Sequence, residues 1–306
     1  MQHKRHILLG WTAAVFIGLL WGAPWIAGIP LLKSMNSIVL VWLRYIVSII
    51  TLFTLLRIGY KKVEIRDYGV NRLIDNKKDF LWTVICGVVG QGAFSFFSFL
   101  SLKWISAAEN GIIQGLIPMV ILIIGSVFFN SRFKLIQIFA VIGAFVGVAI
   151  LTLNPSDKIT GSSIGYLFCF ISVLCFASTA HARAKLAKKY GSVTTMFQQD
   201  LSAAIFFTLI LALTGQDFSS ALTAFYSPVN IFCILVLGAG VSGISYIIYI
   251  YAMKNVGVEG CNMALNLMPV SSFFLAIYFL REEVTIYKIA ALIIVLLALV
   301  VFVKKS

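Results

Sequence analysis

Four ionisable side chains stand inside long apolar runs: Arg44, Glu109, Asp200 and Glu259. A charge held at mid-bilayer depth costs about 2.5–3.5 kcal/mol on insertion scales, so each one needs a reason. Two carboxamide stripes accompany them. Asn110, Gln114 and Pro118 are spaced i, i+4, i+8, with Glu109 at their edge; Glu259, Asn262, Asn266 and Pro269 fall at i, i+3, i+7 and i+10. On a helix either set shares one face. Each proline denies a partner to the carbonyl one turn earlier, which then becomes available to a ligand. This chemistry suits the wall of a polar cavity, and it equally suits hydrogen-bonding glue between helices. Arg44 is suited to a carboxylate. Asp200, preceded by Gln199, is suited to an ammonium group or a proton. Desolvation disfavours the charged form of an embedded acid, so Glu109, Asp200 and Glu259 are candidates for proton or ion coupling. For Glu109 and Glu259 the alternative is capping of a helix N-terminus.

The elements that must position these groups follow from composition. Only 11% of the 306 residues are charged and 60% are apolar, with a mean hydropathy of +1.00, against roughly 25% charged in soluble domains. A water-soluble body could not cover its surface with so few charges. Continuous apolar segments occupy residues 8–28, 37–58, 80–101, 105–129, 135–153, 162–182, 193–214, 229–251, 257–280 and 285–303. Each approaches the roughly 20 residues that a spanning helix needs, and their lack of alternation excludes a β-barrel. The first run is too long for the h-region of a signal peptide and reads as a span. The expected fold is therefore an all-α integral membrane protein with ten transmembrane helices.

Charge placement orients the chain. With the N-terminus in the cytoplasm, 18 of the 24 Lys and Arg fall on the inner side, in the tails and the loops after the second, fourth, sixth and eighth spans. Five fall outside. This positive-inside bias places both termini in the cytoplasm of a multi-pass protein of the cell (inner) membrane. The net charge of +13 is then a matter of topology and of an anionic leaflet; no nucleic-acid partner is implied. Arg44 and Asp200 each lie about 10 Å deep from opposite sides, which leaves an axial gap of about 10 Å between them. Cys86, Cys169, Cys175, Cys233 and Cys261 lie in apolar runs without any CxxC spacing, so neither a disulfide framework nor a zinc site is expected.

The two halves repeat. At an offset of 151, Leu116-Ile117-Pro118 meets Leu267-Met268-Pro269, and the turn at Asn130 meets that at Arg281. Five spans per repeat is an odd number, so residues 8–153 and 162–303 are expected to be inserted as inverted repeats. Inverted repeats around a midplane site are an architecture of secondary transporters, which move substrate by alternating access.

The chain resembles the drug/metabolite transporter superfamily, in its ten-helix form built from two EamA-like repeats. In the first repeat the resemblance rests on Gly18-Leu-Leu-Trp21-Gly22, on Trp42-Leu-Arg44-Tyr45, and on Leu102-Lys103 through Ser106-Ala107-Ala108 to Leu116-Ile-Pro118. In the second it rests on Ala252-Met-Lys254, on Leu267-Met-Pro269-Val270, and on Leu280-Arg281-Glu282-Glu283-Val284-Thr285. Two departures stand out. Asn130-Ser131-Arg132 replaces the turn acid that Glu282 and Glu283 supply in the second repeat, and Glu109 stands where many members have Asn or a small residue. The resemblance implies a carrier, not an enzyme, for a small metabolite such as an amino acid, working by export through a central cavity between the repeats.

The expected substrate-binding set is Trp21, Arg44, Asn110, Gln114, Gln199, Tyr246, Asn262 and Asn266, with Trp21 able to stack on an apolar or aromatic substrate. No cofactor or metal is expected. The partners are the bilayer and a small-molecule substrate, with the protein a monomer or homodimer; Gly143 and Gly147 are small residues that could face a second copy. A channel or a lipid-modifying membrane enzyme is the alternative. The enzyme would need clustered His, Asp, Cys or Ser near an interface, yet only three His occur. The chain has no GxxxxGK[ST] loop for a nucleotide.

Overall fold

The structure is a computed structural model that describes residues 2–58, 74, 76–129, 135–151, 163–215, 219–245, 248–249, 251–252, 255–256 and 264–304. Among these residues there is no strand. The helices are α1 (Gln2–Leu20), α2 (Pro24–Leu32), α3 (Ser37–Ile58), α4 (Lys77–Ile85), α5 (Phe94–Ser101), α6 (Ala107–Gln114), α7 (Ile117–Phe129), α8 (Leu135–Leu151), α9 (Ser163–Tyr190), α10 (Ser192–Thr214), α11 (Ser219–Ala224), α12 (Pro228–Ile234), α13 (Leu267–Leu280) and α14 (Ile286–Lys304). Two π-helical segments, Cys86–Ala93 and Leu235–Ile244, follow α4 and α12.

Among the described residues, six helical stretches are long and apolar enough to cross a membrane: His6–Leu32, Ser37–Leu55, Lys77–Ser101, Ala107–Gly125, Ser163–Tyr190 and Val193–Thr214. Four shorter apolar helices are Ile138–Leu151, Pro228–Ile244, Leu267–Leu280 and Ile286–Ala298. Large apolar side chains remain uncovered, as a lipid solvent allows. Leu135, Phe139, Ile142 and Val146 form one exposed stripe along α8 at helical spacing.

Several expected spans are not continuous α-helix, and proline explains where they break. The first runs past residue 28 to Leu32 and is interrupted at Trp21–Ala23, because Pro24 cannot donate to the carbonyl of Leu20. The turn tightens instead, with Gly22 N donating to Leu19 O at 3.2 Å and Ala23 N to Leu20 O at 3.1 Å. The fourth breaks at Gly115–Leu116, three residues before Pro118, where Leu116 N donates to Ile113 O at 2.9 Å. A turn at Asn266 precedes Pro269 in the same way. The sixth is longer than expected and reaches Tyr190, since Ala182 to Lys189 is built from strong helix formers. Gly191, at φ 88°, ends it.

The chain forms two compact units, each drawn from both halves of the sequence. One comprises Met1–Ile26, Phe97–Ala177 and Tyr251–Ser306. Within it α8 packs along α14, and α13 packs on α1 and α6. Small residues permit the approach. A Cβ on Gly111 would lie 2.0 Å from Ser272 Oγ, and one on Gly18 would lie 2.2 Å from the carbonyl oxygen of Ala264. Among the described residues beyond its own helix backbone, no atom lies within 4 Å of the Cβ position at Gly143, whereas Gly147 meets Val295.

In this unit Arg281 adopts a left-handed turn at the end of α13 (φ 56°). The turn delivers Glu282 to the N-terminus of α6, where its carboxylate accepts from Ala107 N at 2.7 Å and Ala108 N at 3.3 Å. Lys288, 3% exposed, lies 3.6 Å from the same carboxylate. Glu282 therefore answers two orphan amides, a helix dipole and a buried ammonium at once. Glu282→Ala is expected to lower the stability of the purified protein by about 1–3 kcal/mol, read as a fall in thermal midpoint. A midpoint equal to wild type would count against this role.

The other unit comprises Ala27–Phe96 and Ser178–Ile250. Here α3 packs on α10 and on the second π segment, while α10 also packs on the first π segment. Each π segment contains three glycines: Gly87, Gly90 and Gly92 in one, Gly238, Gly240 and Gly243 in the other.

Candidate substrate site

The residues singled out by the sequence divide between the two units. In the first unit, Ser106 caps α6 by accepting from Glu109 N, and Glu109 returns the bond through Oε2 to Ser106 N at 2.8 Å. This is a capping box. Glu109 Oε1 also accepts from Tyr166 Oη at 2.9 Å. Asn110 and Gln114, both fully buried, lie on one face as their spacing requires. Asn110 Nδ2 donates to Ser101 Oγ at 2.7 Å and to Ser98 O at 3.0 Å. Gln114 Nε2 donates to Ser172 Oγ at 2.7 Å, and Trp25 Nε1 to Ser98 Oγ at 2.8 Å. This carboxamide pair ties α5, α6 and α9 together. Among the described residues of this unit, two acceptors remain without partners, Gln114 Oε1 and Asn266 Oδ1. Trp21 is half-buried at the break in the first span. Glu259, Asn262 and Tyr246 lie outside the described residues.

The second unit holds the denser polar cluster. Arg44 is 7% exposed on α3 and turned inward. Its Nε donates to Ser242 Oγ at 2.8 Å and its Nη1 to Ser95 Oγ at 3.3 Å. Tyr45 Oη donates to Gln91 O at 2.7 Å and pairs with Ser95 Oγ at 2.7 Å. Ser48, one turn further along α3 from Arg44, donates its hydroxyl to Asp200 Oδ2 at 2.6 Å.

Among the described residues, the opposite carboxylate oxygen, Oδ1, has no hydrogen-bond partner. Nor have both amide atoms of Gln199, the hydroxyl of Thr195 or Gln198 Oε1. Thr195, Gln199 and Asp200 are each 0% exposed. Buried polar atoms are paired in the great majority of cases, so such a concentration along two turns of one helix calls for a ligand or water. Ser48, Ser95, Thr195 and Ser242 were not anticipated from sequence. Ser48 at i+4 from Arg44 was the available signal; the serines on other helices carried none. Among the described residues no group of three or more His, Cys, Asp or Glu could hold a metal ion.

A helical, lipid-adapted chain with proline-broken spans and buried, partly unanswered polar groups defines a multi-pass membrane protein. The sequence matches the EamA-like transporter family over residues 8–153 and again over 163–304, and the chain belongs to that family. Its place in the drug/metabolite transporter superfamily fits. It is 25% identical to an uncharacterized transporter of Haemophilus influenzae over 275 residues, covering 87% of this chain and 82% of that one. It is 17% identical to the Bacillus subtilis uncharacterized transporter YoaV, covering 89% of each. A solved crystal structure shares its fold with a TM-score of 0.59 and 19% identity over 97% of both chains. Family and relatives alike bear the name of transporters.

Proposed function

We propose that the protein is a secondary transporter that exports a small metabolite, an amino acid or similar amphipathic solute, across the inner membrane by alternating access. The carrying observation is the run of fully buried, unanswered polar atoms on α10 beside Arg44. In a lipid-embedded protein such atoms are costly, and a solute that supplies their missing partners offsets that cost. Arg44 receives a carboxylate and Asp200 an ammonium group or a proton, with Glu109 and Glu259 as further coupling acids.

Ten spans in two inverted repeats, with cytoplasmic termini, complete the reading. Three features favour it. The turns at Gly115 and Asn266 precede equivalent prolines, 151 residues apart. The two glycine-rich π segments stand about 150 residues apart in the two halves. Each π segment packs on the long helix from the other half: the first on α10, the second on α3. Interrupted helices at paired positions are a recurrent feature of carriers built from repeats.

The test is counterflow in proteoliposomes loaded with a panel of amino acids and related solutes. The expected result is saturable, trans-stimulated uptake of a labelled solute. Uptake that rises linearly with concentration and ignores the internal solute would mark a channel, and no uptake of any solute would overturn the reading.

A further inference from the structure

Gln199 stands on α10 with both ends of its side chain unanswered. It is fully buried, and among the described residues neither its Nε2 nor its Oε1 has a hydrogen-bond partner. Elsewhere the fold answers the donors of its buried carboxamides. Gln114 Nε2 donates to Ser172 Oγ at 2.7 Å, and Asn110 Nδ2 to Ser101 Oγ at 2.7 Å. Gln91, on the π segment that packs on α10, donates to Met196 Sδ at 3.7 Å and leaves Gln199 alone. That segment closes on Gln199 at backbone distance. A Cβ on Gly87 would lie 2.3 Å from the carbonyl oxygen of Gln199 and 2.8 Å from Ser202 Cβ.

The neighbours share the demand. Thr195, one turn earlier on the same face, is fully buried with an unanswered hydroxyl. A threonine or serine in a helix can bond the carbonyl one turn back, as Ser202 and Thr208 do on this same helix. Asp200, next along the chain, has its Oδ2 held by Ser48 and its Oδ1 unanswered. Thr195, Gln199, Asp200 and Ser48 all belong to one compact unit.

The unanswered atoms ask for a definite chemistry. Gln199 offers one donor and one acceptor side by side. A carboxylate would answer Nε2 and set its lone pairs against Oε1, and an ammonium would do the opposite. A primary carboxamide presents N–H and C=O together and closes both bonds at once. Asp200 Oδ1 calls for a donor, which a protonated amine supplies with charge assistance. The two side chains leave consecutive residues about 100° apart around the helix axis, so one small solute can meet both.

We propose that this site selects a small solute carrying a primary carboxamide and a protonated amine, with Gln199 pairing with the carboxamide and Asp200 with the amine. Gln199 is thus a specificity-determining residue. The inference rests on the transporter reading and narrows its substrate class to amino acids with an amide side chain.

The test uses the purified full chain in detergent, with the ligand-dependent rise in thermal midpoint as the readout. L-asparagine and L-glutamine carry both groups, L-glutamate and L-norleucine lack the carboxamide, and nicotinamide lacks the amine. In the wild type at least one of the two amides is expected to act at concentrations at least about tenfold below the other three probes, each of which leaves buried polar atoms unpaired. Gln199→Leu is expected to weaken that amide about tenfold and to leave norleucine within about twofold. Without ligand, Q199L is expected to melt no lower than the wild type, because leucine removes two unanswered polar atoms from a buried position. A lower midpoint would show that the fold itself answers the amide, and would overturn the proposal. Norleucine or nicotinamide equal to the better amide in the wild type, no response to any probe, or Q199L binding the amide as the wild type does would each do the same. Counterflow separates this inference from the broader reading. Counterflow of amino acids without an amide preference removes the inference and leaves a transporter, whereas amide-dependent stabilisation without counterflow of any solute does the reverse.

Discussion

Gly111→Ala is expected to destabilise the protein severely, and Ser272→Gly in the same chain to restore much of the loss. The added Cβ would meet Ser272 Oγ at 2.0 Å and Ser272 Cβ at 2.3 Å, while the next nearest atom, Trp25 Cε3, is at an ordinary 3.5 Å. One residue therefore accounts for the whole conflict. Ser272 cannot rotate away cheaply, because its hydroxyl donates to the carbonyl of Ala107 at 3.1 Å and it is fully buried. Overpacking of this kind typically costs about 1–3 kcal/mol, and more where backbones must part. Here α6 and α13 would have to separate, and α13 also packs on α1. The measurement is the thermal midpoint of the purified single and double variants. A single variant with wild-type stability would show that the α6–α13 approach is not as close as described. A double variant no better than the single would show that Ser272 is not the obstacle.

In the sequence the glycine that governs this approach stands four residues before Gly115, with nothing local to mark its role. Its meaning depended on a residue 161 positions away that no local pattern names. The same distinction runs through the molecule. The apolar runs and the prolines were legible, because lipid as solvent and the missing amide of proline act locally. Pro118 and Pro269 marked the broken fourth span and the turn at Asn266, and Pro24 explains why the first span is not one helix. The π segments were not legible, since three glycines permit a π turn without requiring one.

At the site, Arg44, Asp200 and Gln199 stood out because polar groups in apolar runs are costly wherever they point. Ser48, Ser95 and Ser242 did not, since a serine in a membrane helix can satisfy itself on its own backbone, as Thr51 does with Val47 O at 2.8 Å. Arg183 was hidden by its company. Next to Lys185, Lys188 and Lys189 it reads as one more cytoplasmic charge, whereas on the extended α9 its Nη2 donates to Thr179 Oγ1 at 3.0 Å and to the carbonyl of Gly90 at 3.4 Å. Glu109 carried two readings, and the geometry displays the capping box; Asn110 and Gln114 are engaged as interhelical ties.

Arg44→Gln is expected to abolish counterflow and to lower stability, whereas the charge-balanced double variant Arg44→Gln/Asp200→Asn is expected to recover stability without recovering transport. The argument turns on what each change leaves buried. Removing the guanidinium strips Ser242 and Ser95 of a charged donor and takes a buried cation from the stretch of α3 whose Ser48 holds the Asp200 carboxylate. Breaking a buried charge cluster by removing one member costs about 3–5 kcal/mol, because the remaining charge is left uncompensated. Asn in place of Asp200 removes that uncompensated charge and can still accept from Ser48 through its carbonyl oxygen. Stability should therefore return towards wild type in the double variant. Transport should not, since the guanidinium proposed to receive a carboxylate and the carboxylate proposed to receive an ammonium are both gone; a loss of at least about 100-fold in initial counterflow rate is expected for two such charge-assisted contacts. Arg44→Lys separates geometry from charge. An ammonium cannot occupy the Nε and Nη1 branches together, so the variant should fold and yet transport poorly. Wild-type counterflow by the double variant would remove Arg44 and Asp200 from the substrate path and reduce the pair to a structural contact between α3 and α10. Normal stability together with lost transport in R44Q would instead show that a solute, and not the fold, is what the buried guanidinium serves.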